Sequence, residues 1–339
     1  MARPHRLLVR MAVVSAILVL FLVITLVFGL SLGSTQQGFG AIIRTMMGQN
    51  ASYPMLTTII WHIRLPRVLL AALTGATLSA GGLVFQALLR NPLAEPYILG
   101  ISGGSAIGTI IGIILGFSRF PGVTLMAFFG SMVTLVLVMI ISTGRSLLKK
   151  DSLLLAGVMV KAFCSAVIMF LISMTQDARL HNIIFWLMGD LSMTDLQQVG
   201  TMAVILIPGF ILIFYLSHAP NLMLMGREMA MTAGLQIKTI TIILLITTSL
   251  MVSTTVSHCG LIGFVGLVIP HLLRMALGPD HRVLVPASIL GGGAYMVFRD
   301  LLARTLPRNG EMPAGVITAL IGAPLFFVCS NGQTDDNGC

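Results

Sequence analysis

Apolar residues in this chain come in runs of about twenty, separated by short polar connections. A helix needs about 20 such residues to cross roughly 30 Å of hydrocarbon. Ten stretches qualify, at about 11–31, 66–89, 97–117, 122–144, 153–175, 196–217, 239–257, 261–278, 283–302 and 313–330. The eighth is the weakest, short and broken by Gly266, Pro270 and His271. It still counts, because neighbouring helices can re-satisfy the backbone groups that Gly and Pro set free. The first follows Arg3, Arg6 and Arg10 and so resembles a signal peptide. Its apolar stretch is longer than the usual core of one, and GLSLGSTQQ is a poor cleavage site, so it reads as a span. The prediction is an all-α membrane protein with one ten-helix domain over 1–330 and a polar, unstructured tail over 331–339.

Two connections are more than links. Residues 177–195 hold an apolar centre with Trp186 and flanking Asp, too short to span, and read as an interfacial helix on the outer side. Residues 219–238 are polar enough to leave the membrane, and Gly226 and Gly234 permit sharp turns around one short helical piece. That stretch reads either as an ordinary loop or as a docking element for a soluble partner.

Composition agrees with a lipid solvent. Of 339 residues 56% are apolar and only 9% charged, against roughly 25% charged in a soluble domain. The 20 Lys+Arg exceed the 11 Asp+Glu, but they sit at the ends of apolar runs and form no continuous basic face, which argues against nucleic acid. Counting basic residues on alternate ends gives eleven on one side against eight on the other. The richer side includes Arg10, the cluster from Arg145 to Lys150, and Arg282, and is assigned to the cytoplasm with both termini. The outer arginines, among them Arg64, Arg67 and Arg304, then run against the charge rule. The four cysteines form no CxxC pair or Cys/His spacing and read as small packing residues.

All eleven acidic residues, Glu95 among them, fall at or near the ends of runs. A proton-coupled carrier commonly keeps a carboxylate at mid-membrane, so this pattern disfavours one, although an ion-coupled secondary transporter with a carbonyl-built Na⁺ site escapes the test. No GxxxxGK[ST], HExxH or GxSxG occurs. The chain therefore carries no P-loop and no hydrolase signature, no cofactor is expected, and an ATPase would have to be another chain. One charge does lie inside a run. Lys161 is the ninth residue of LLLAGVMVKAFCSAVIMFLIS, where a lysine costs about 2.5–3.5 kcal/mol on insertion scales. Spacings of three and four place it with Gly157, Cys164 and Ser165, a small, weakly polar face suited to a pore or a tight helix contact. Snorkelling toward the interface is the other reading of the same lysine.

Six segments together resemble the permease family of ABC importers for iron chelates and cobalamin. They are RLPRVLLAALTGATLSAGGLVFQALLRNPLAEPYILGISGGSAIG (64–108), LLLAGV (153–158), FWLMGDLS (185–192), GREMAMTAGL (226–235), GLIGFVGLVIPHLLR (260–274) and GEMPAGVITALIGAPLFF (310–327). Each alone is weak in an apolar chain, but six in the family's order are specific. The resemblance implies a non-enzymatic permease of the type II importer fold in the bacterial inner membrane. It also implies a homodimer around a central path, two ATPase subunits beneath and a substrate-binding protein above. On that resemblance, Arg64, Arg67 and Arg304 match outer-rim positions that receive acidic residues of the binding protein, with anchoring of helix ends as the alternative. Residues 226–235 match the coupling helices, with Gly226 and Gly234 as turns. Arg227 stands where the family has its first acidic residue, and Glu228 keeps the second. Asn91 and Leu93 match one side of the cytoplasmic gate, and Lys150 and Asp151 bring unusual charge to the other. Gly157, Lys161 and Ser165 fall on the expected path, where the family generally has a small residue in place of Lys161.

Overall fold

Each of the ten apolar runs coincides with a helix in the computed structural model, which describes residues 4–32, 57–142, 150–175, 177–306 and 312–336. Among those residues are thirteen α-helices: α1 (Pro4–Ser31), α2 (Leu65–Leu89), α3 (Ile101–Ile114), α4 (Thr124–Ser142), α5 (Lys150–Ser173), α6 (Asp177–Leu187), α7 (Leu196–Tyr215), α8 (His218–Leu224), α9 (Arg227–Thr232), α10 (Ile237–Cys259), α11 (Val265–Leu277), α12 (His281–Thr305) and α13 (Ala314–Asp336). Six helical stretches are long and apolar enough to cross a membrane: those of α1, α2, α4, α5, α7 and α10. α3, α11 and the first part of α13 are apolar but shorter. α12 is long, yet carries Arg299, Asp300 and Arg304. The polar tail departs from expectation, since α13 runs through Asp336.

α2 is the axis of the bundle. Over Ile59–Leu89 the apolar window is 83% buried, against 6% for α1, which sits at the periphery. The cause is in the residues. Ala71, Thr74, Gly75, Ala76, Ser79, Gly81 and Gly82 give α2 small side chains on several faces, so α10, α11 and α12 can all close on its backbone. A methyl group on Gly82 would come 1.8 Å from the Gly266 carbonyl oxygen, and one on Gly75 2.1 Å from that of Gly292. α10 is rich in Ser and Thr yet buried in its second half. Thr254 and Thr255 return their hydroxyls to the carbonyls of Leu250 and Met251, each at 2.9 Å, which satisfies them within their own helix.

The weak eighth run resolves into two parts. After α10 the chain crosses 260–264 without regular structure, with Phe264 at φ 67°, and only then forms α11. Tyr97 donates its hydroxyl to the Ile262 carbonyl (2.9 Å), and Gln86 its side-chain amide to that of Gly266 (3.3 Å). Irregular backbone at membrane depth is tolerated only where protein supplies such partners.

The segment after α5 does more than lie on the surface. Ile183, Trp186 and Leu191 are buried, and the turn after α6 is stitched inward by Asp190 N–H to Cys259 O (2.9 Å), Ala314 N–H to Gly189 O (3.0 Å) and Gly315 N–H to Met188 O (3.0 Å). Three distant segments therefore meet at the start of α13.

Candidate functional site: outer rim, membrane path and inner docking face

The ends of the bundle are fixed by α1. Arg10 donates to the Leu277 carbonyl at one end. At the other, Arg64 donates to the carbonyls of Leu30 (2.9 Å) and Ser31 (3.1 Å), and Arg304 to that of Gly29 (3.1 Å). Two guanidinium groups thus cap the last turn of α1, where free carbonyls and the negative end of the helix dipole favour cations.

Arg64, Arg67 and Arg304, which the resemblance matches to outer-rim docking positions, are only 4%, 6% and 9% exposed. Arg67 Nε lies 2.8 Å from Asp300 Oδ1, and Arg304 Nε 3.0 Å from Asp300 Oδ2, with Asp300 itself fully buried. Asp300 therefore ties α2 to α12 through Arg67, and pairs with Arg304 one turn along its own helix. Next to it, Arg299 donates to the Tyr295 hydroxyl at 2.8 Å, its guanidinium 5.1 Å from that ring's centre. The exposed basic groups at this end are others. Arg119 pairs with Asp190 at 2.9 Å, and Arg179 donates to the Ile114 carbonyl. Together with Asn182, Phe185 and Trp186 they line a cavity of about 430 Å³ between the α3–α4 connection and α6.

Burial alone would push the Asp190 carboxyl up, but the Arg119 charge and hydrogen bonds from Ser192 hold it below the usual carboxylate range. A carboxyl with a depressed folded-state value stabilises above its unfolded value, and the contribution is lost as pH falls through the folded one. Wild-type protein should therefore lose a small part of its thermal stability on acidification to below the ordinary Asp range. An Asp190→Asn variant should lack that component, which paired melting curves at neutral and acidic pH would read.

At mid-membrane the predicted path face divides in two. A methyl on Gly157 would meet the Ile98 carbonyl oxygen at 2.1 Å, and one on Gly103 would meet Cys164 Cβ at 2.6 Å. Gly157 and Cys164 are therefore contact positions against the 3₁₀ turn Pro96–Leu99 and α3. Lys161 and Ser165 lie on the neighbouring, exposed strip, with the Ser165 hydroxyl donating to the Lys161 carbonyl at 3.0 Å. The structure also adds a residue. Glu95, grouped in the sequence with acids at span ends, faces the Phe264 N–H at the start of α11 and lies within electrostatic range of Lys161.

At the other end of α2, Arg90 adopts a left-handed conformation (φ 47°) and donates to the Met223 carbonyl at 2.5 Å. Asn91 follows, its side-chain oxygen accepting the Leu93 N–H at 2.9 Å, and Leu93 is exposed. Lys150 and Asp151 begin α5, but their side chains lie outside the described residues, as do the Arg227 side chain and Glu311. α8 and α9 form a short helical pair joined at Gly226 (φ 119°) and closed by Gly234 (φ 79°). Asn221 fastens the pair to the start of α12, its amide donating to Asp280 (2.6 Å) and its oxygen accepting from His281 N–H (2.9 Å). What the pair presents outward is Met225, Met229 and Met231, all more than half exposed, with Glu228 among them. No signal in the sequence distinguished those methionines from the apolar runs around them.

A buried ion network at one end, irregular backbone in the middle and a helical knuckle at the other form a transporter-like arrangement, and the comparisons decide among such proteins. The sequence pattern of the FecCD transport family matches residues 19–330. The chain belongs to that family. It is 38% identical over 317 residues to the uncharacterized ABC transporter permease protein YvrB of Bacillus subtilis, covering 90% of each chain. It is 39% identical over 270 residues to the vitamin B12 import system permease protein BtuC of Salmonella typhi (79% of this chain, 82% of that one). The hemin transport system permease protein HmuU of Yersinia pestis is 36% identical over 318 residues, covering 91% and 93%. The fold superposes on an inward-facing metal-chelate type ABC transporter with a TM-score of 0.83 and 32% identity, over 94% of this chain and 98% of that one. FecCD membership favours an importer permease over the ion-coupled carrier that composition alone left open.

Proposed function

We propose that this chain is the permease subunit of a binding-protein-dependent ABC importer carrying a metal chelate (iron siderophore, haem or cobalamin) across the bacterial inner membrane. The observation that carries the reading is the family match over 19–330. Two copies enclose the path, and two ATPase subunits supply the energy from the cytoplasmic side, where both termini lie. The α8–α9 knuckle is the ATPase contact. Among the described residues it is the one exposed helical pair in a connection at that end, and its methionines offer adaptable apolar surface. Asn91 and Leu93 on one turn, and Lys150 and Asp151 at the start of α5, form the cytoplasmic gate. The binding protein docks on the outer end, whose rim Arg64, Arg67 and Arg304 hold in place from beneath.

The test is uptake into liposomes by the permease reconstituted with its ATPase and binding protein, probed with cyanocobalamin, haem and a ferric siderophore. Uptake should require an ATPase able to hydrolyse ATP; uptake that persists with an inactive ATPase overturns the reading. Coupling has its own variant. Gly226 and Gly234 adopt positive φ, which a β-branched side chain disfavours. Gly226→Val/Gly234→Val should leave ATP hydrolysis running while uptake per ATP falls at least about tenfold, since the contact geometry of a bistable element is lost. An unchanged ratio would remove α9 from the coupling role.

A further inference from the structure

Lys161 stands eleven residues into α5 from Lys150, about 16 Å at 1.5 Å per residue, near the middle of a roughly 30 Å core. Glu95 comes to a comparable depth by another route. After α2 ends at Leu89 the chain turns back, so that Pro96 lies beside Gly81 and Gly266, where methyl groups would meet it at 3.6 and 2.7 Å. Gly81 is eight residues before the end of α2, about 12 Å up the helix. The Glu95 carboxylate faces the Phe264 N–H, at the positive end of α11, and lies within electrostatic range of Lys161. Gly100 lets the two segments approach, since a methyl there would lie 3.1 Å from Val160 Cγ1 and 3.9 Å from the Lys161 backbone nitrogen. The opposite flank of α5 is different. Met159 and Phe163 line an apolar groove with α3 and α4, suited to lipid tails.

An ammonium at this depth requires water or an anion, and the flank of α5 that carries it also carries the carboxylate. We propose that Lys161 and Glu95 form a charge filter in the wall of the translocation path, Glu95 fixed on the start of α11 and Lys161 a mobile arm. The arm rests toward Glu95 when the path is empty and swings to an anionic group of the passing substrate. The filter therefore selects a metal chelate of net negative charge, such as one bearing free carboxylates. This rests on the reading of the chain as one wall of a path.

The test uses the full chain in liposomes with Cys329 and Cys339 replaced by alanine; Cys164 and Cys259 are buried and remain. The thiol of a Lys161→Cys variant is titrated with an anionic and a cationic membrane-impermeant methanethiosulfonate reagent, with and without Glu95→Gln. The thiol should react with both reagents, faster with the cation, and Glu95→Gln should shift the rate ratio toward the anion by roughly tenfold or more, as expected for removing a nearby unit charge from a partly wet site. If neither reagent reacts, position 161 does not face water, and both the path wall and the filter fall. If both react but Glu95→Gln moves the ratio less than about twofold, the filter falls and the path wall stands. ATP-dependent uptake is scored separately, so failure of the importer reading leaves these rates interpretable.

Discussion

An Asp300→Ala protein should fail to accumulate as folded, monodisperse material. Asp300 is fully buried and receives Arg67 at 2.8 Å and Arg304 at 3.0 Å. Removing it takes a carboxylate partner from two buried guanidinium groups. Breaking a buried pair by deleting one partner costs about 3–5 kcal/mol, against a total stability of about 5–15 kcal/mol for a typical protein. Arg304 also caps α1 through Gly29, so the loss should spread to the packing of that peripheral helix. Asp300→Asn keeps the shape and one acceptor, and should fall between. The triple replacement Arg67→Met/Asp300→Leu/Arg304→Met removes the charges together and should recover much of the deficit, because well-packed apolar substitutes for buried ion networks are often neutral. Thermal unfolding in detergent, followed by size-exclusion chromatography, ranks the three variants. A midpoint for Asp300→Ala equal to wild type would show that the network contributes nothing to the fold.

That network marks where sequence reading stops. The apolar runs were legible because lipid demands length and hydrophobicity within one contiguous segment, so each predicted run found its helix. The role of Arg64, Arg67 and Arg304 was not, since the carboxylate that buries Arg67 lies 233 residues away in sequence. A charge at the end of an apolar run looks interfacial until its partner is known. Glu95 shows the same limit from the other side. It sits between two runs, where the sequence alone assigns it to a span end. The chain instead climbs back along α2, which only Pro96 lying against Gly81 and Gly266 reveals. Helical spacing grouped Gly157 and Cys164 with Lys161 and Ser165, but a spacing of three or four defines a strip about 100° wide or more. Contact with Ile98 and Gly103 takes one edge of that strip and leaves the other open. The short helix between two glycines at 226–235 was legible because positive φ is a property of single residues, readable as Gly.

The sharpest consequence of the packing lies in two adjacent glycines of α2. Both are buried in the middle of the same helix, where Gly→Ala ordinarily gains about 0.5–1 kcal/mol from backbone entropy. At Gly81 the new methyl would meet Val252 Cγ2 at 3.1 Å and Thr248 Cγ2 at 3.4 Å, both ends of side chains able to shift a few tenths of an ångström. At Gly82 it would meet the Gly266 carbonyl oxygen at 1.8 Å and the Gly266 Cα at 2.6 Å, backbone atoms that can move only if α11 moves. Gly266 in turn rests on Leu78 and Pro96, and Gln86 donates to its carbonyl, so displacing α11 also pulls at the turn that carries Glu95. Gly81→Ala should therefore stay within about 1 kcal/mol of wild type in stability and keep transport. Gly82→Ala should lose about 3 kcal/mol or more, as overpacking at a rigid contact does, with uptake abolished even in whatever fraction folds. Side-by-side thermal midpoints and uptake rates decide it. Equal behaviour of the two variants would mean that α2 and α11 do not cross with their backbones in contact.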